Sequence, residues 1–387
     1  MSELSDTLRS FAGDLDKDSA EKALRRSGLA PGEAKVTKAT TAVTTYDIEG
    51  DVSISTKVVY DVVPVDPKWP VVQHAKPVVI KPAPSTPKKA TDWDCVVVLP
   101  DPQFGFRRVG DELIPFHDPD ALDVALQVTS FLQRQHGVSQ VVLLGDYLDL
   151  PSQGKYVQEA AFSQTTQEAI DAGYLFLASL RASAPDAEII LLEGNHDRRM
   201  QNFITLNAKE AFGLKKAHQP TTWPVMSIPN LLRLDELGVK YIDAYPAGVH
   251  WINDKLRAIH GNKVRSNGST ASAYTNEMPH TSVIFGHIHR QEIQSKTTYD
   301  KSGSIKSMAI SPGCLCRVDG AVPGVNGSTD SSGRPVTYWE NWQQGVAIVW
   351  SKPEGDFHVE MIHIDNGKTL YRNHEFTTKV HALRTEH

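Results

Sequence analysis

The sequence has few cysteines, no long apolar run and no excess of positive charge. Three cysteines in 387 residues are too few for a disulfide framework, and they fit a reducing compartment. No stretch has the length and apolarity of a transmembrane helix, and the amino terminus does not resemble a signal peptide. We therefore expect a soluble, cytoplasmic protein without a membrane partner.

The charge balance gives no overall nucleic-acid signal. The formal net charge is -6, so binding to DNA or RNA would depend on a local basic surface. The length of 387 residues is enough for one large catalytic domain with a smaller appendage.

Composition and pattern divide the chain into four predicted segments. Residues 1–63 begin with a helical pattern and continue with two β-type runs around Glu49-Gly50, which predicts a small helix-plus-hairpin module. Residues 64–92 contain seven prolines and read as an extended linker. Residues 93–365 form the predicted catalytic domain, and residues 366–387 the predicted C-terminal tail or arm.

The predicted module has a basic edge, which consists of Lys22, Arg25, Arg26, Lys35 and Lys38. A solvated helix face would explain such charges. This is the interpretation that the sequence favours, and a contact with nucleic acid or with a partner protein is the alternative.

The predicted catalytic domain alternates strands and helices in its first half. Apolar periodicity predicts helices over residues 118–136 and 159–182, each between two buried strands, which is a βαβαβ pattern. Strands dominate after residue 200. The fold class is therefore α/β.

Five apolar runs in this domain end in polar residues that can bind metal ions. The carboxyl ends of parallel strands are where open α/β sheets place their sites. We expect the side chains at these junctions to converge: Asp101 and Gln103; Asp146 and Asp149; Asn195, His196 and Asp197; His260; His287 and His289.

In this order and spacing, the junctions resemble the motifs of the calcineurin-like metallophosphoesterase superfamily over residues 93–365. The resemblance implies a four-layer α/β/β/α sandwich with two mixed sheets, here preceded by a small α+β module. A module and a Pro-rich linker before such a core also look like phosphoesterases encoded by bacteriophages, which would place the protein in the cytoplasm of a host cell.

The resemblance implies two divalent metal ions that share Asp146 as a bridging ligand. The first ion would bind Asp101, Gln103, Asp146 and His289. The second would bind Asp146, Asn195, His260 and His287. Mixed oxygen and imidazole ligands favour manganese, with zinc, iron and nickel as alternatives.

The resemblance also implies the catalytic roles. A metal-bound hydroxide would attack the phosphorus atom, and His196 would act as general acid towards the leaving group. Asp149 would hold the His196 ring in the required tautomer. Arg198, Arg199, Lys263 and Arg265 lie next to these motifs and would contact phosphate or form a salt-bridged rim. We include His117 among the candidate substrate contacts.

Three departures from the family pattern bear on function. Gln103 stands where the family usually has histidine, and an amide oxygen is the harder, weaker ligand. Leu150 follows Asp149 where Ser/Thr protein phosphatases carry a phosphate-binding arginine, which disfavours a phosphoprotein substrate. Cys314 and Cys316 have no second cysteine pair to complete a zinc site, so we interpret them as packing residues.

These observations predict a phosphodiesterase or nuclease that acts on DNA, RNA or a nucleotide. A phosphomonoesterase is the alternative within enzymes. A family scaffold with weakened catalysis is the alternative from another class, and it would be distinguished by weak metal binding.

Overall fold

The computed structural model describes residues 34–48, 51–64, 92–154, 159–218, 223–301, 303–323, 328–329, 335–336 and 340–379. The helix predicted within residues 1–33 and most of the Pro-rich linker lie outside these ranges. The chain divides into two compact units, Met1–Val79 and Ile80–His387.

Strands outnumber helices among the described residues. The strands are β1 Ala34–Ile48, β2 Asp51–Pro64, β3 Asp94–Leu99, β4 Phe106–Val109, β5 Glu112–Pro115, β6 Val138–Leu143, β7 Glu188–Leu192, β8 Val239–Ile242, β9 His250–Trp251, β10 Leu256–Ile259, β11 Ser282–Phe285, β12 Gln291–Asp300, β13 Gly303–Pro312, β14 Ser328–Thr329, β15 Pro335–Val336, β16 Gln344–Ser351, β17 Phe357–Ile364, β18 Lys368–Tyr371 and β19 His374–Thr377. The α-helices are α1 Pro119–His136, α2 Thr166–Ser183, α3 Arg198–Asn207, α4 Ile228–Leu231, α5 Leu234–Leu237 and α6 Thr270–Glu277. Short 3₁₀ turns cover Pro151–Gln153, Ala160–Phe162 and Lys209–Ala211.

The first unit contains the hairpin that the β pattern predicts. Strands β1 and β2 pair antiparallel, from Ala34 opposite Pro64 to Ile48 opposite Asp51.

The second unit contains two mixed sheets. The six-stranded sheet has the order β17-β16-β3-β6-β7-β8, in which β3, β6, β7 and β8 are parallel, β16 pairs antiparallel with β3, and β17 pairs antiparallel with β16. The five-stranded sheet has the order β12-β13-β11-β10-β9, with parallel pairs at its centre. These sheets bring the carboxyl ends of their parallel strands to the site described below.

The two faces of the six-stranded sheet bury different cores, as the period of two along a strand requires. Along β3, Val97 and Leu99 join a core shared with α1 and α2. Val96 and Val98 join a second core that includes side chains of the five-stranded sheet, among them Leu256. A third core packs α6 on the five-stranded sheet. Burial on both faces explains why these strands are continuous apolar runs in the sequence.

Helix α1 has the bounds that its capping residues predict. The Asp118 side chain accepts backbone N–H bonds from Asp120 and Ala121, Pro119 occupies the first turn, and Gly137 follows the last residue. Helix α2 starts later than predicted, at Thr166, because a separate 3₁₀ turn and a left-handed Gln164 precede it.

The C-terminal segment contains a hairpin where the sequence predicts a tail or arm. Strands β18 and β19 pair antiparallel, and Tyr371 and Phe376 pack against Phe131 of α1. Burial of these two rings fixes the short strands against α1. Strands this short carry little periodic signal, so the sequence pattern does not predict them. Within the described part of the chain, no helix combines the length and apolarity needed to cross a membrane.

Candidate metal centre

The candidate ligands follow neighbouring strands at their carboxyl ends. Asp101, Asp146 and Asn195 follow β3, β6 and β7, which are adjacent and parallel in the six-stranded sheet. His260 and His287 follow β10 and β11, which are adjacent and parallel in the five-stranded sheet. The two sheets therefore contribute to the same site from opposite sides.

The backbone at five of these residues is left-handed. The φ angle is positive at Asp101 (40°), Gln103 (49°), Asp146 (44°), His287 (72°) and His289 (55°). Side-chain residues rarely adopt this region, and each instance costs about 1–3 kcal/mol. The left-handed conformation turns the chain sharply after each strand, so that successive polar side chains point into the same site.

Two glycines allow close approach to the central carboxylates. A Cβ atom at Gly194 would lie 2.2 Å from Asp146 Oδ1, and one at Gly286 would lie 2.4 Å from Asp101 Oδ2. Both distances are far below van der Waals contact, so these positions require glycine for steric reasons.

Asp146 lies at the centre of the site. It can present a carboxylate oxygen within 4.8 Å of a ring nitrogen of His260 and of His287, all mutually that close. A carboxylate oxygen of Asp146 also lies within 4.8 Å of a carboxylate oxygen of Asp101 and of a ring nitrogen of His289, again all mutually that close. Two three-residue groups thus share one buried carboxylate, which is the arrangement expected of a ligand that bridges two cations.

Two amide side chains complete the two groups. Asn195 Oδ1 lies 3.1 Å from His260 Nε2. Gln103 Nε2 lies 3.4 Å from His289 Nε2, while Gln103 Oε1 is buried without a hydrogen-bond partner in the described residues. The oxygen and nitrogen of an amide exchange places by a simple flip, so either arrangement leaves an acceptor for a cation.

Further contacts orient the imidazole rings. His260 Nδ1 donates to the Leu144 carbonyl oxygen at 2.8 Å, which directs Nε2 towards Asp146 and Asn195. His289 Nδ1 lies 3.9 Å from the Cys316 sulfur atom, on the side of the ring away from Gln103. The rings are thus held in orientations suited to metal binding.

The electrostatics of the site fit a cation. Burial and the nearby Asp146 charge raise the pKa of Asp101 well above its usual range. Burial would raise the pKa of Asp146 too, but His260 and His196 hold it well below its usual range. Burial lowers the pKa of His287 to about 4 and that of His289 to about 3, which keeps both rings neutral and able to bind metal.

His260 is the exception among the histidines. Burial lowers its pKa, but the charges of Asp146 and Asp101 outweigh that effect and raise it to about 9. A protonated His260 balances part of the negative charge of the site, and a cation at Asp146 would take over that role.

His196 lies beside the carboxylates with both ring nitrogens engaged. Its Nδ1 is hydrogen-bonded to the Asp149 carboxylate, and its Nε2 is 3.1 Å from the Arg199 guanidinium. Arg199 also donates to the Asp149 carbonyl oxygen at 2.6 Å. His196 Nε2 is 3.9 Å from Asp146 Oδ2, so the ring lies at the edge of the candidate metal centre.

The other predicted phosphate contacts are not brought to the site in the same way. Arg198 pairs with Glu193 at 3.3 Å, and Lys263 pairs with Glu277 at 2.8 Å. Arg265 is exposed. Of the four rim cations, Arg199 is the one with direct contacts to His196 and Asp149 in the described structure.

His117 packs among aromatic rings. Its ring centroid lies 4.7 Å from that of Phe104 and 5.1 Å from that of Phe106. Burial lowers its pKa to about 3. Its described contacts are those of a neutral core residue.

Asp197 has a role that the sequence pattern does not assign. It is fully buried and accepts backbone N–H bonds from Tyr147 (3.1 Å), Leu148 (2.9 Å) and Gly194 (2.9 Å). It therefore fixes the turn after β6 against the turn after β7. Its place in the Gly194–Asp197 motif is the signal that could have revealed it.

Cys314, Cys316 and Trp342 surround the far side of His289. Both cysteines are fully buried in a small core with Phe116, and their sulfur atoms also lie within 4.8 Å of each other and of a His289 ring nitrogen, so burial alone does not decide between packing and metal binding. The Trp342 ring lies 4.3 Å from that of His289. The sequence gives no signal for the Trp342 contact, which depends on tertiary structure.

Comparisons with known proteins find similar proteins in bacteriophages. No family model matches the sequence. The chain is 31% identical over 197 residues to the Gene 54 protein of Mycobacterium phage D29, which covers 49% of this chain and 70% of that protein. The chain belongs to the Gene 54 protein family. The Gene 54 protein of Mycobacterium phage L5 is 29% identical over the same share of both chains. Membership of the Gene 54 family is compatible with the phage origin suggested by the segment organisation.

Proposed function

We propose that this Gene 54 family protein is a calcineurin-like, metal-dependent phosphoesterase. The observation that carries the proposal is the pair of ligand groups that share Asp146. The order of the three cores, with helices, sheet, sheet and a further helix in succession, supports the calcineurin-like four-layer assignment. We assign the activity to residues 93–365 and its place of action to the host cytoplasm.

The donor set fits two divalent cations. Gln103 Oε1 and His287 Nδ1 are buried polar atoms without a hydrogen-bond partner among the described residues, which is what a metal ion at each position would explain. We assign the first ion to Asp101, Gln103, Asp146 and His289, and the second to Asp146, Asn195, His260 and His287. Two amide oxygens among the donors favour manganese. When bound, two such metal ions activate water and neutralise charge on phosphoryl oxygens.

His196 would deliver a proton to the leaving oxygen. Asp149 accepts the Nδ1 hydrogen bond and so directs Nε2 towards the edge of the site. Arg199 contacts this Nε2 atom. A phosphate group would attract the Arg199 guanidinium by a stronger, charge-assisted bond, which would free Nε2 to take up from solvent the proton that it then delivers to the leaving oxygen.

We favour a phosphodiester substrate in nucleic acid or a nucleotide. Leu150 is fully buried, so the position that carries a phosphate-binding arginine in protein phosphatases cannot serve that purpose here. The N-terminal module would contact nucleic acid or a partner protein through its basic edge. A phosphomonoesterase remains the second candidate, and Gln103 is the residue that favours a weakened scaffold.

The test combines metal analysis with a manganese-supplemented activity panel. The panel contains bis-p-nitrophenyl phosphate, p-nitrophenyl phosphate, cyclic nucleotides and single- and double-stranded DNA. We expect bound metal and faster hydrolysis of the diester than of the monoester. Asp146→Asn should abolish hydrolysis and lower metal content, whereas the exposed control His280→Ala should change neither. A wild-type protein without bound metal and without hydrolysis would support the scaffold alternative.

A further inference from the structure

A basic and apolar stretch leads away from the candidate metal centre. Residues 198–218 contain five Lys or Arg residues against one Glu, a formal net charge of +4 in a chain whose total is -6. The same stretch contains four of the thirteen exposed large apolar side chains among the described residues. Positive charge and exposed apolar surface therefore coincide in one short segment.

Helix α3 presents this surface in register with the site. Arg199, Phe203 and Leu206 follow at intervals of four and three and so share one face, while Met200 and Ile204 are buried on another. Arg199 contacts His196. With a rise of about 1.5 Å per residue, Phe203 and Leu206 lie about 6 Å and 10 Å further along the axis. They are 43% and 78% exposed.

The segment after α3 continues the same chemistry. Phe212 and Leu214 are 58% and 57% exposed. Lys209, Lys215 and Lys216 are also exposed, and they alternate with these apolar residues along the chain. Exposed rings with interleaved cations are the elements by which proteins bind single-stranded nucleic acid, because bases stack on the rings and phosphates pair with the cations.

We infer that this surface binds single-stranded nucleic acid and leads it to the metal centre, with single-stranded DNA as the probe in the tests below. We call it the α3 strip and define it as Phe203, Leu206, Lys209, Phe212, Lys215 and Lys216. The inference rests on the proposed function, for which it names the substrate class.

A second copy of the chain is the less suitable occupant. A two-fold interface would place the same surface patch against itself. Two strips that each carry a net positive charge would then face one another at short range, which is unfavourable. A polyanion matches the charge of the strip and, through its bases, the exposed rings.

The first test measures binding independently of hydrolysis. The full-length protein is titrated in EDTA against fluorescein-labelled single-stranded DNA of about 20 nucleotides, and anisotropy gives the affinity. The triple variant Lys209→Gln/Lys215→Gln/Lys216→Gln should weaken binding at least about tenfold and lower the slope against log salt by about 2. The matched control makes the same change at three lysines of the β12–β13 hairpin: Lys296, Lys301 and Lys306.

The second test addresses the rings. Phe203→Ala/Phe212→Ala should weaken binding roughly tenfold or more, since base stacking on each ring contributes. Its control is Tyr299→Ala, which removes an 81% exposed ring elsewhere. Both strip variants should retain hydrolysis of bis-p-nitrophenyl phosphate, because the strip lies outside the metal centre. If the protein binds DNA through the strip but does not hydrolyse this diester, the proposed function is wrong and the inference about the strip stands.

Three results would overturn the inference. The first is unchanged DNA affinity in both strip variants, and the second is an equal loss in their controls. The third is double-stranded DNA binding as tight as that of single-stranded DNA in the same assay, because the base faces of a duplex cannot stack on the exposed rings. Sedimentation distinguishes the alternative occupant: a wild-type dimer that Phe203→Ala/Phe212→Ala dissociates, with unchanged DNA affinity, would identify a second copy instead.

Discussion

His117→Phe should make the protein more resistant to acid. His117 is 7% exposed, lies between the rings of Phe104 and Phe106, and has a pKa lowered to about 3 by burial. Its Nδ1 atom has no hydrogen-bond partner in the described structure. Phenylalanine keeps a flat ring in this aromatic cluster and cannot be protonated.

The size of the effect follows from the two pKa values. The folded value is about 3 and the reference value is 6.5, so between them the unfolded chain binds a proton that the folded chain does not. The contribution of neutral His117 to the free energy of unfolding is therefore fully present above the unfolded pKa, and it is lost as the pH falls towards the folded pKa. At about pH 5 the loss is about 2 kcal/mol, and it depends little on the folded value because the folded ring is neutral there in any case.

The assay is urea denaturation of metal-free wild type and His117→Phe at about pH 7.5 and pH 5. The substitution also removes a hydrogen bond to the Gly105 backbone, but that loss is common to both pH values and cancels in the comparison. The variant should lose about 2 kcal/mol less on acidification than the wild type. The exposed control His280→Phe should lose as much as the wild type. An equal acid loss in His117→Phe would refute a buried, neutral His117.

Three further predictions concern the metal centre. His196→Ala should cut turnover by about 10²–10⁴ at near-normal metal content, and the loss should shrink for good leaving groups; an equal loss for all leaving groups would argue against a general acid. Gln103→His should tighten the first metal and reduce the manganese requirement, which a titration of rate and bound metal would show; identical requirements would mean that Gln103 is not a ligand. Gly194→Ala should lower the free energy of unfolding in urea by about 3 kcal/mol or more, because its Cβ would overlap Asp146. Gly110→Ala, whose Cβ meets no atom within 4 Å, should cost only about 1 kcal/mol for its backbone conformation, and an equal effect would exclude the overlap as the cause.

Much of the site geometry was predictable because strand ends are visible in the sequence. A buried parallel strand leaves a continuous apolar run, and the next polar residue lies at the edge of the sheet. That rule alone brings Asp101, Asp146 and Asn195 together. The converging histidines follow from the same rule applied to β10 and β11.

The remainder depends on tertiary structure. Arg198 and Arg199 are equivalent in sequence, but the phase of α3 directs Arg199 to His196 and Arg198 to Glu193. Histidine is a residue type common at functional sites, but the surrounding aromatic rings make His117 a core residue. Pairings of this kind join distant parts of the chain, and no local pattern reports them.

The left-handed backbone at five candidate ligands makes this site easy to lose and hard to acquire. Replacement of any of them by glycine would remove a candidate ligand and relieve local backbone strain at the same time, which offsets part of the loss of its side-chain contacts. Acquisition on another pair of sheets would need several sharp turns, each unfavourable until its neighbours exist. Drift in a family with this fold would therefore favour members that keep the fold and lack some of these candidate ligands. Such members would be recognisable by glycine at positions equivalent to Asp101, Gln103, Asp146, His287 or His289.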